Sequence, residues 1–237
     1  LGRRATLIDA LPAPHAQVLG GLFGQACAAL HADHGTALRM GAAVVGMEAD
    51  GSDAVAGVRL RSGELIDADL VVVGVGVRPA TRWLEGSGIA LDDGVVCDET
   101  CAALDLAGAP IPGIVAAGDV ARWRNPLFGE AMRVEHWDNA SAQGRAAGRR
   151  LMGIEQPYEL MPYFWSDQYD AKIQVVGAGR PDDDAELAEG SLQDRAFVVT
   201  YRREGRIVGA AAMNMLHRLS HYRNAIMEGR ALNERIH

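Results

Sequence analysis

The sequence predicts a mixed α/β chain that begins with parallel-sheet units and ends in an α+β domain with an antiparallel sheet. Residues 69–75 begin with an aspartate and continue as an unbroken apolar run rich in valine, which is typical of a parallel strand buried on both faces. Beyond residue 158 the pattern changes to short strands at 173–176, 196–201 and 207–212, with a turn at Glu204-Gly205 between the last two. These observations place a boundary near Gln156-Pro157.

The N-terminal part reads as a strand at residues 5–9, a loop containing two prolines, and a helix at 18–34. Short strands near 43–48, 55–61 and 65–66 follow, separated by Gly-containing turns, so we predict a β-meander inserted into a parallel-sheet unit.

The middle part predicts a short helix, a strand at residues 95–97, a strand leading to Asp119 and a helix at 137–152. Alanine and glycine recur at helical spacing in that last helix (Ala140, Gly144, Ala147 and Gly148), which predicts a face for close packing. Asp138 and Asn139 are candidate N-terminal caps. We expect an acidic loop at 182–186 and a basic helix at the end of the chain.

Composition narrows the function classes. The chain has 237 residues and a net charge of −8, which argues against a nucleic-acid binder. No apolar run approaches the roughly 18 residues that span a bilayer, and the first residues lack a signal-peptide core, so a cytoplasmic location is expected. Three cysteines, at 27, 97 and 101, form no Cys-x-x-Cys pair and complete no metal site, and reduced structural thiols are expected.

The segment 114–120 (Ile-Val-Ala-Ala-Gly-Asp-Val) carries the strongest local signal. Ala116, Ala117 and Gly118 allow a backbone to approach a bulky ligand, and Asp119 can then accept hydrogen bonds from ligand hydroxyls. A tight strand-to-helix turn with an exposed aspartate explains these residues equally well.

Two further motifs follow in order, Val134-Glu-His-Trp-Asp-Asn-Ala140 and Tyr163-Phe-Trp-Ser-Asp-Gln-Tyr169. Together with Ala117-Gly-Asp119 they resemble the flavoprotein family of NAD(P)H-dependent ferredoxin, rubredoxin and putidaredoxin reductases, over nearly the whole chain. That family carries two Gly-x-Gly-x-x-Gly fingerprints, and neither is present in this sequence.

The resemblance implies remainders of Rossmann-like FAD- and NAD-binding domains. The NAD-binding part would cover residues 1–78 and the FAD-binding part 79–156, before an α+β C-terminal domain at 157–237. The chain would be the C-terminal part of a reductase, and we expect the isolated chain to be incomplete and inactive.

By the same resemblance, Gly118, Asp119 and Val120 would contact FAD. The helix that starts at Trp137 would point its positive end at the flavin ring, with His136 and Trp137 beside it. Trp165 would shield the ring or lie on the electron path. Simple packing roles remain the alternative for these aromatic residues.

The NAD site would include Asp9, at a position where an acid commonly binds the adenosine ribose. Gly74, Gly76 and Pro79 would close the unit beside the nicotinamide. The absence of arginines shortly after Asp9 favours NAD over NADP. A polar strand end and a glycine turn are the alternative explanations.

The resemblance implies an oxidoreductase that passes electrons from NADH through FAD to a ferredoxin-type iron–sulfur protein serving an oxygenase. No nucleic-acid or membrane partner is expected, and a homodimer is left open. Arg122, Arg124 and Arg133 are a candidate basic surface for an acidic partner. The alternatives are an NADH oxidase, a nitrite reductase or an apoptosis-inducing-factor-like flavoprotein, and a silent binding or dimerising fragment.

Overall fold

The computed structural model describes residues 3–229, which form four β-sheets and three α-helices. The helices are α1 (Ala16–Asp33), α2 (Trp137–Leu151) and α3 (Leu219–Glu228). The strands are β1 (Thr6–Asp9), β2 (Ala37–Met40), β3 (Val44–Ala49), β4 (Val55–Leu60), β5 (Leu65–Asp67), β6 (Val95–Cys97), β7 (Ala102–Leu104), β8 (Pro110–Val115), β9 (Ala121–Asn125), β10 (Glu130–Met132), β11 (Tyr163–Gln168), β12 (Ala171–Gly177), β13 (Asp184–Ser191), β14 (Ala196–Arg203) and β15 (Arg206–Met213). The mixed α/β class predicted from the sequence is confirmed.

The N-terminal region is a β-α-β unit followed by a three-stranded meander. Strands β1 and β2 pair in parallel and α1 crosses between them, as a parallel pair requires. The sequence patterns missed β2, whose four residues alternate between exposed and half-buried positions. The predicted meander is present as the antiparallel sheet β3-β4-β5.

The strand predicted at residues 69–75 is absent from the described part of the chain. This segment joins none of the four sheets, and its side chains are exposed: Leu70 to 79%, Val72 to 86% and Val75 to 90%. A strand that is apolar on both faces needs a neighbour at each edge and a layer over each face, and no other strand in residues 3–229 pairs with it. The prediction of a buried strand is therefore wrong for this structure.

The middle region packs α2 against the sheet β10-β9-β6-β7-β8. Its core surrounds Trp123, which is 0% exposed and donates from Nε1 to the carbonyl of Tyr158 at 3.1 Å. Cys97 and Cys101 belong to the same core, and burial raises their pKa values to about 12 and about 11. All three cysteines are free and buried.

The C-terminal region is the antiparallel sheet β11-β12-β15-β14-β13, with a helix on each face. Alternate residues of β14 point to opposite sides: Phe197, Val199 and Tyr201 pack with α1, whereas Val198 packs with α3. The predicted antiparallel sheet is confirmed. The predicted acidic loop is only partly correct, because β13 begins at Asp184. Part of the predicted terminal helix is α3, and residues 230–237 lie outside the described part.

None of the described helices is long and apolar enough to cross a membrane.

Candidate functional site

The Gly118–Asp119 turn lies directly against the first turn of α2. Gly118 has a φ of +73°, a conformation that favours glycine, and a Cβ placed there would lie 3.2 Å from the Cβ of Ala140. Asp119 is exposed and Val120 is half-buried. The sequence motif therefore combines a close backbone approach with a free carboxylate at the start of a helix.

No side chain caps the start of α2. His136 occupies the N-cap position with extended backbone, and its side chain makes no capping hydrogen bond. Asn139, a predicted cap, instead donates from Nδ2 to the carbonyl of Val134 at 2.8 Å, and it is 1% exposed. The prediction that Asp138 or Asn139 caps this helix is wrong. The first backbone N–H groups of α2 thus stay open to an acceptor from outside the helix.

Two polar atoms beside this helix start are buried and have no hydrogen-bond partner, Nδ1 of His136 and Oδ1 of Asp138. Burial lowers the pKa of His136, against smaller raising effects from Asp138, Asp119 and Glu135. The imidazole is therefore neutral at neutral pH, with one nitrogen able to donate and the other able to accept.

Strand β11 brings the third sequence motif to the same place. The rings of His136 and Phe164 have centroids 5.5 Å apart, and Tyr163 stacks on Trp165 at 5.9 Å. Trp165 is 56% exposed and Trp137 is 81% exposed. A groove of about 360 Å³ runs beside Trp165. Its lining residues are Tyr163, Trp165, Asp167, Lys172, Ile173, Gln174 and Leu216.

The predicted small-residue face of α2 is only partly correct. Ala140 contacts the Gly118 turn and Ala147 is buried, but Gly144 and Gly148 have no atom within 4 Å of an added Cβ. The face that packs into the core is Asn139, Gln143 and Ala147. The sequence pattern did not indicate Gln143, because a buried polar residue inside a helix is indistinguishable by pattern from an exposed one.

The residues predicted for a second nucleotide lie on other elements of the chain. Asp9 ends β1, and its Oδ1 accepts the backbone N–H of Leu11 at 2.9 Å. Gly74, Gly76 and Pro79 lie on the irregular segment after residue 68, and Gly76 has the positive φ of +89° that the sequence allowed. The roles of these four residues stay predictions.

The predicted basic surface is largely neutralised by neighbouring acids. Arg122 pairs with Asp92 at 2.5 Å, and Arg133 pairs with Asp93 and Glu135. Arg133 also donates to the carbonyl of Asp119, at 3.1 Å. It therefore braces the turn as well as contributing charge.

Comparison with known proteins agrees with this arrangement. Residues 1–144 match the pyridine nucleotide-disulphide oxidoreductase family, and residues 163–236 match the reductase C-terminal family. The chain therefore belongs to the pyridine nucleotide-disulphide oxidoreductase family. Within this family, the chain belongs with the ferredoxin reductases. Both matched regions and the names of its relatives support this placement.

One relative is the 5,5'-dehydrodivanillate O-demethylase ferredoxin reductase subunit of a Sphingobium species, which is 36% identical over 98% of this chain and 53% of the relative. A ferredoxin reductase structure from Rhodopseudomonas palustris has a TM-score of 0.87 at 29% identity, covering 100% of this chain and 57% of the other. A covalent putidaredoxin reductase–putidaredoxin complex has a TM-score of 0.84 at 28% identity, covering 94% and 52%. The chain thus spans about half the length of these proteins.

Proposed function

We propose that this chain is part of an electron-transfer flavoprotein that passes electrons from NADH through FAD to a ferredoxin-type iron–sulfur protein, which in turn serves an oxygenase. The observation that carries the proposal is the junction of three motifs, where the Gly118–Asp119 turn and the uncapped start of α2 meet the aromatic strand β11. The family of the chain and the names of its relatives support the same reaction class.

The residues at this junction fit a flavin. The pyrimidine edge of a flavin ring carries both carbonyl acceptors and an N–H donor. The open N–H groups of α2 and the unpartnered atoms of His136 and Asp138 match these groups. Gly118 allows the turn that carries Asp119 to pack against Ala140 in the first turn of α2. Asp119 is free to accept hydrogen bonds from the hydroxyls of the cofactor chain.

When bound, FAD would accept two electrons as a hydride from NADH and release them one at a time. The positive end of α2 would stabilise negative charge that develops near it. Neutral His136 would hydrogen-bond without adding charge. Trp137 and Trp165 would cover the ring and limit the access of water.

The remaining expectations belong to the same proposal. Asp9 would hold the adenosine ribose of NAD, and Gly74, Gly76 and Pro79 would pass beside the nicotinamide. The three parts would be an NAD-binding part at 1–78, an FAD-binding part at 79–156 and a C-terminal domain at 157–237. A cytoplasmic location and a homodimer stay predictions.

The test uses the complete polypeptide that carries this sequence, with FAD bound and oxygen excluded. NADH should bleach the flavin absorption, and an oxidised ferredoxin should restore it. Replacement Trp165→Ala should slow the second step by about tenfold or more and leave the first nearly unchanged, if the ring lies on the path to the partner. Trp83→Ala is the matched control, because Trp83 is also an exposed tryptophan, at 80%. A flavin that NADH cannot reduce would contradict the proposal.

A further inference from the structure

Gln143 is a fully buried polar side chain that links α2 to the Gly118–Asp119 turn. Its Oε1 accepts the backbone N–H of Gly118 at 2.8 Å, and the residue is 0% exposed. The two residues are 25 positions apart in the chain. The amide nitrogen Nε2 has no hydrogen-bond partner, so the contact from Oε1 to Gly118 is what ties the buried side chain to the turn and fixes where the turn can lie relative to the helix.

Gln143 is itself held in place by a small polar network. Asn139, one helical turn earlier, donates from Nδ2 to Oε1 of Gln143 at 3.4 Å and to the carbonyl of Val134 at 2.8 Å. Tyr158 donates its hydroxyl to Oδ1 of Asn139 at 3.1 Å. The core-facing side of α2 is thus polar at two of its three buried positions, Asn139 and Gln143, with only Ala147 apolar. A helix that packed into the core through apolar side chains alone would need none of these hydrogen-bond partners.

Beside Gln143, the turn is supported by Arg133, whose Nη1 donates to the carbonyl of Asp119 at 3.1 Å. The backbone N–H of Ala116 donates to the carbonyl of Cys101 at 3.1 Å, which secures the strand just before the turn. Without Gln143 the N–H of Gly118 would be buried with no acceptor.

We propose that Gln143 is a positioning residue for the flavin site: it fixes the Gly118 backbone and so places the Asp119 carboxylate where cofactor hydroxyls can reach it. Gln143 would not touch the cofactor itself. This inference rests on the proposed function, because it assumes that Asp119 binds FAD.

The test compares variants of the complete polypeptide. Gln143→Met keeps an unbranched side chain of similar length but removes the acceptor, and we expect the Kd for FAD to rise by about ten- to a hundredfold. Gln143→Glu keeps an oxygen acceptor for the Gly118 N–H and should retain most of the affinity. The amide hydrogen of Gly118 should exchange faster in the Gln143→Met protein and not in the Gln143→Glu protein.

Val199→Ala is the stability control, because Val199 is 0% exposed in the C-terminal sheet and contacts no part of the turn described above. It should lower Tm and leave the Kd for FAD unchanged. Equal FAD affinity in the wild-type and Gln143→Met proteins would overturn the positioning role alone. A wild-type polypeptide that binds no FAD would overturn the proposed function and this inference with it.

Discussion

The C-terminal sheet and the segment of residues 69–77 are both rich in valine and alanine or glycine, yet they differ in what surrounds them. Val198 and Val199 in β14 are 0% exposed, because neighbouring strands pair with both edges and helices cover both faces. Val72 and Val75 are 86% and 90% exposed, and no sheet includes them. Burial of an apolar strand is thus a property of its neighbours as much as of its sequence.

This difference separates a self-contained region from a dependent one. The sheet of β11 to β15 finds its helices and its core within the chain. Residues 69–77 find no strand partner within the described residues 3–229, and the chain spans about half the length of its relatives. The C-terminal sheet therefore has its covering layers within the described residues, whereas residues 69–77 do not.

The largest expected effect comes from the self-contained region. Phe197 is 0% exposed and packs on Phe23 of α1 with ring centroids 5.2 Å apart. Phe197→Ala should lower the free energy of unfolding by about 3–5 kcal/mol, because it leaves a cavity between the sheet and α1. Urea unfolding followed by circular dichroism measures the change. A loss below about 1 kcal/mol would mean that α1 and the sheet do not form one core.

The matched change in the dependent region should have a much smaller effect in this chain. Val72→Ala removes two methyl groups from an exposed site, and the free energy of unfolding should change by less than about 0.5 kcal/mol. In the complete polypeptide the same change should cost about 1–3 kcal/mol, because the segment would then be buried. Equal costs in the two proteins would remove the distinction between the regions.

The smallest expected effect is a dependence of folding stability on pH. It arises from the histidines where α1 meets the β11–β12 hairpin. His15 contacts Gln168, and His31 and His34 contact Tyr169. Burial lowers the pKa values of His15 and His31 below their ordinary 6.5, with further lowering from His31 on His15 and from His34 on His31. The folded state therefore prefers the neutral rings, and the unfolded chain takes up protons first as the pH falls.

The contribution of these neutral rings to folding stability should consequently be complete above the ordinary histidine pKa. It should decline as the pH falls below that value. Melting temperatures at about pH 7.5 and about pH 5.5 measure this decline, and the variant His15→Gln with His31→Gln should show a smaller one. A larger decline in the double variant would show that these rings are stabilised as cations instead.

The contrast between the two regions also explains which parts of the fold could be predicted from the sequence. Local patterns were sufficient for α1, for the meander and for strands β12, β14 and β15, because turns and alternation are properties of neighbouring residues. The same patterns failed at residues 69–75, where burial depends on strands that are distant in sequence.

For the candidate site, the motifs located Asp119, His136 and Trp165, and the structure adds how their segments meet through Phe164 and Gln143. The hydrogen bond between Gln143 and Gly118 joins residues that are 25 positions apart, and no spacing rule predicts it. The missing caps of α2 could not be predicted either, because Asn139 hydrogen-bonds into the core instead of to its own helix.

The most direct test of the account is the visible absorption spectrum of the purified 237-residue chain after it is mixed with FAD and separated from free cofactor. The account predicts little or no bound flavin on this chain, and stoichiometric flavin on the complete polypeptide that carries it. Stoichiometric flavin on the isolated chain that NADH bleaches without oxygen would contradict it, because these residues alone would then form a working redox site.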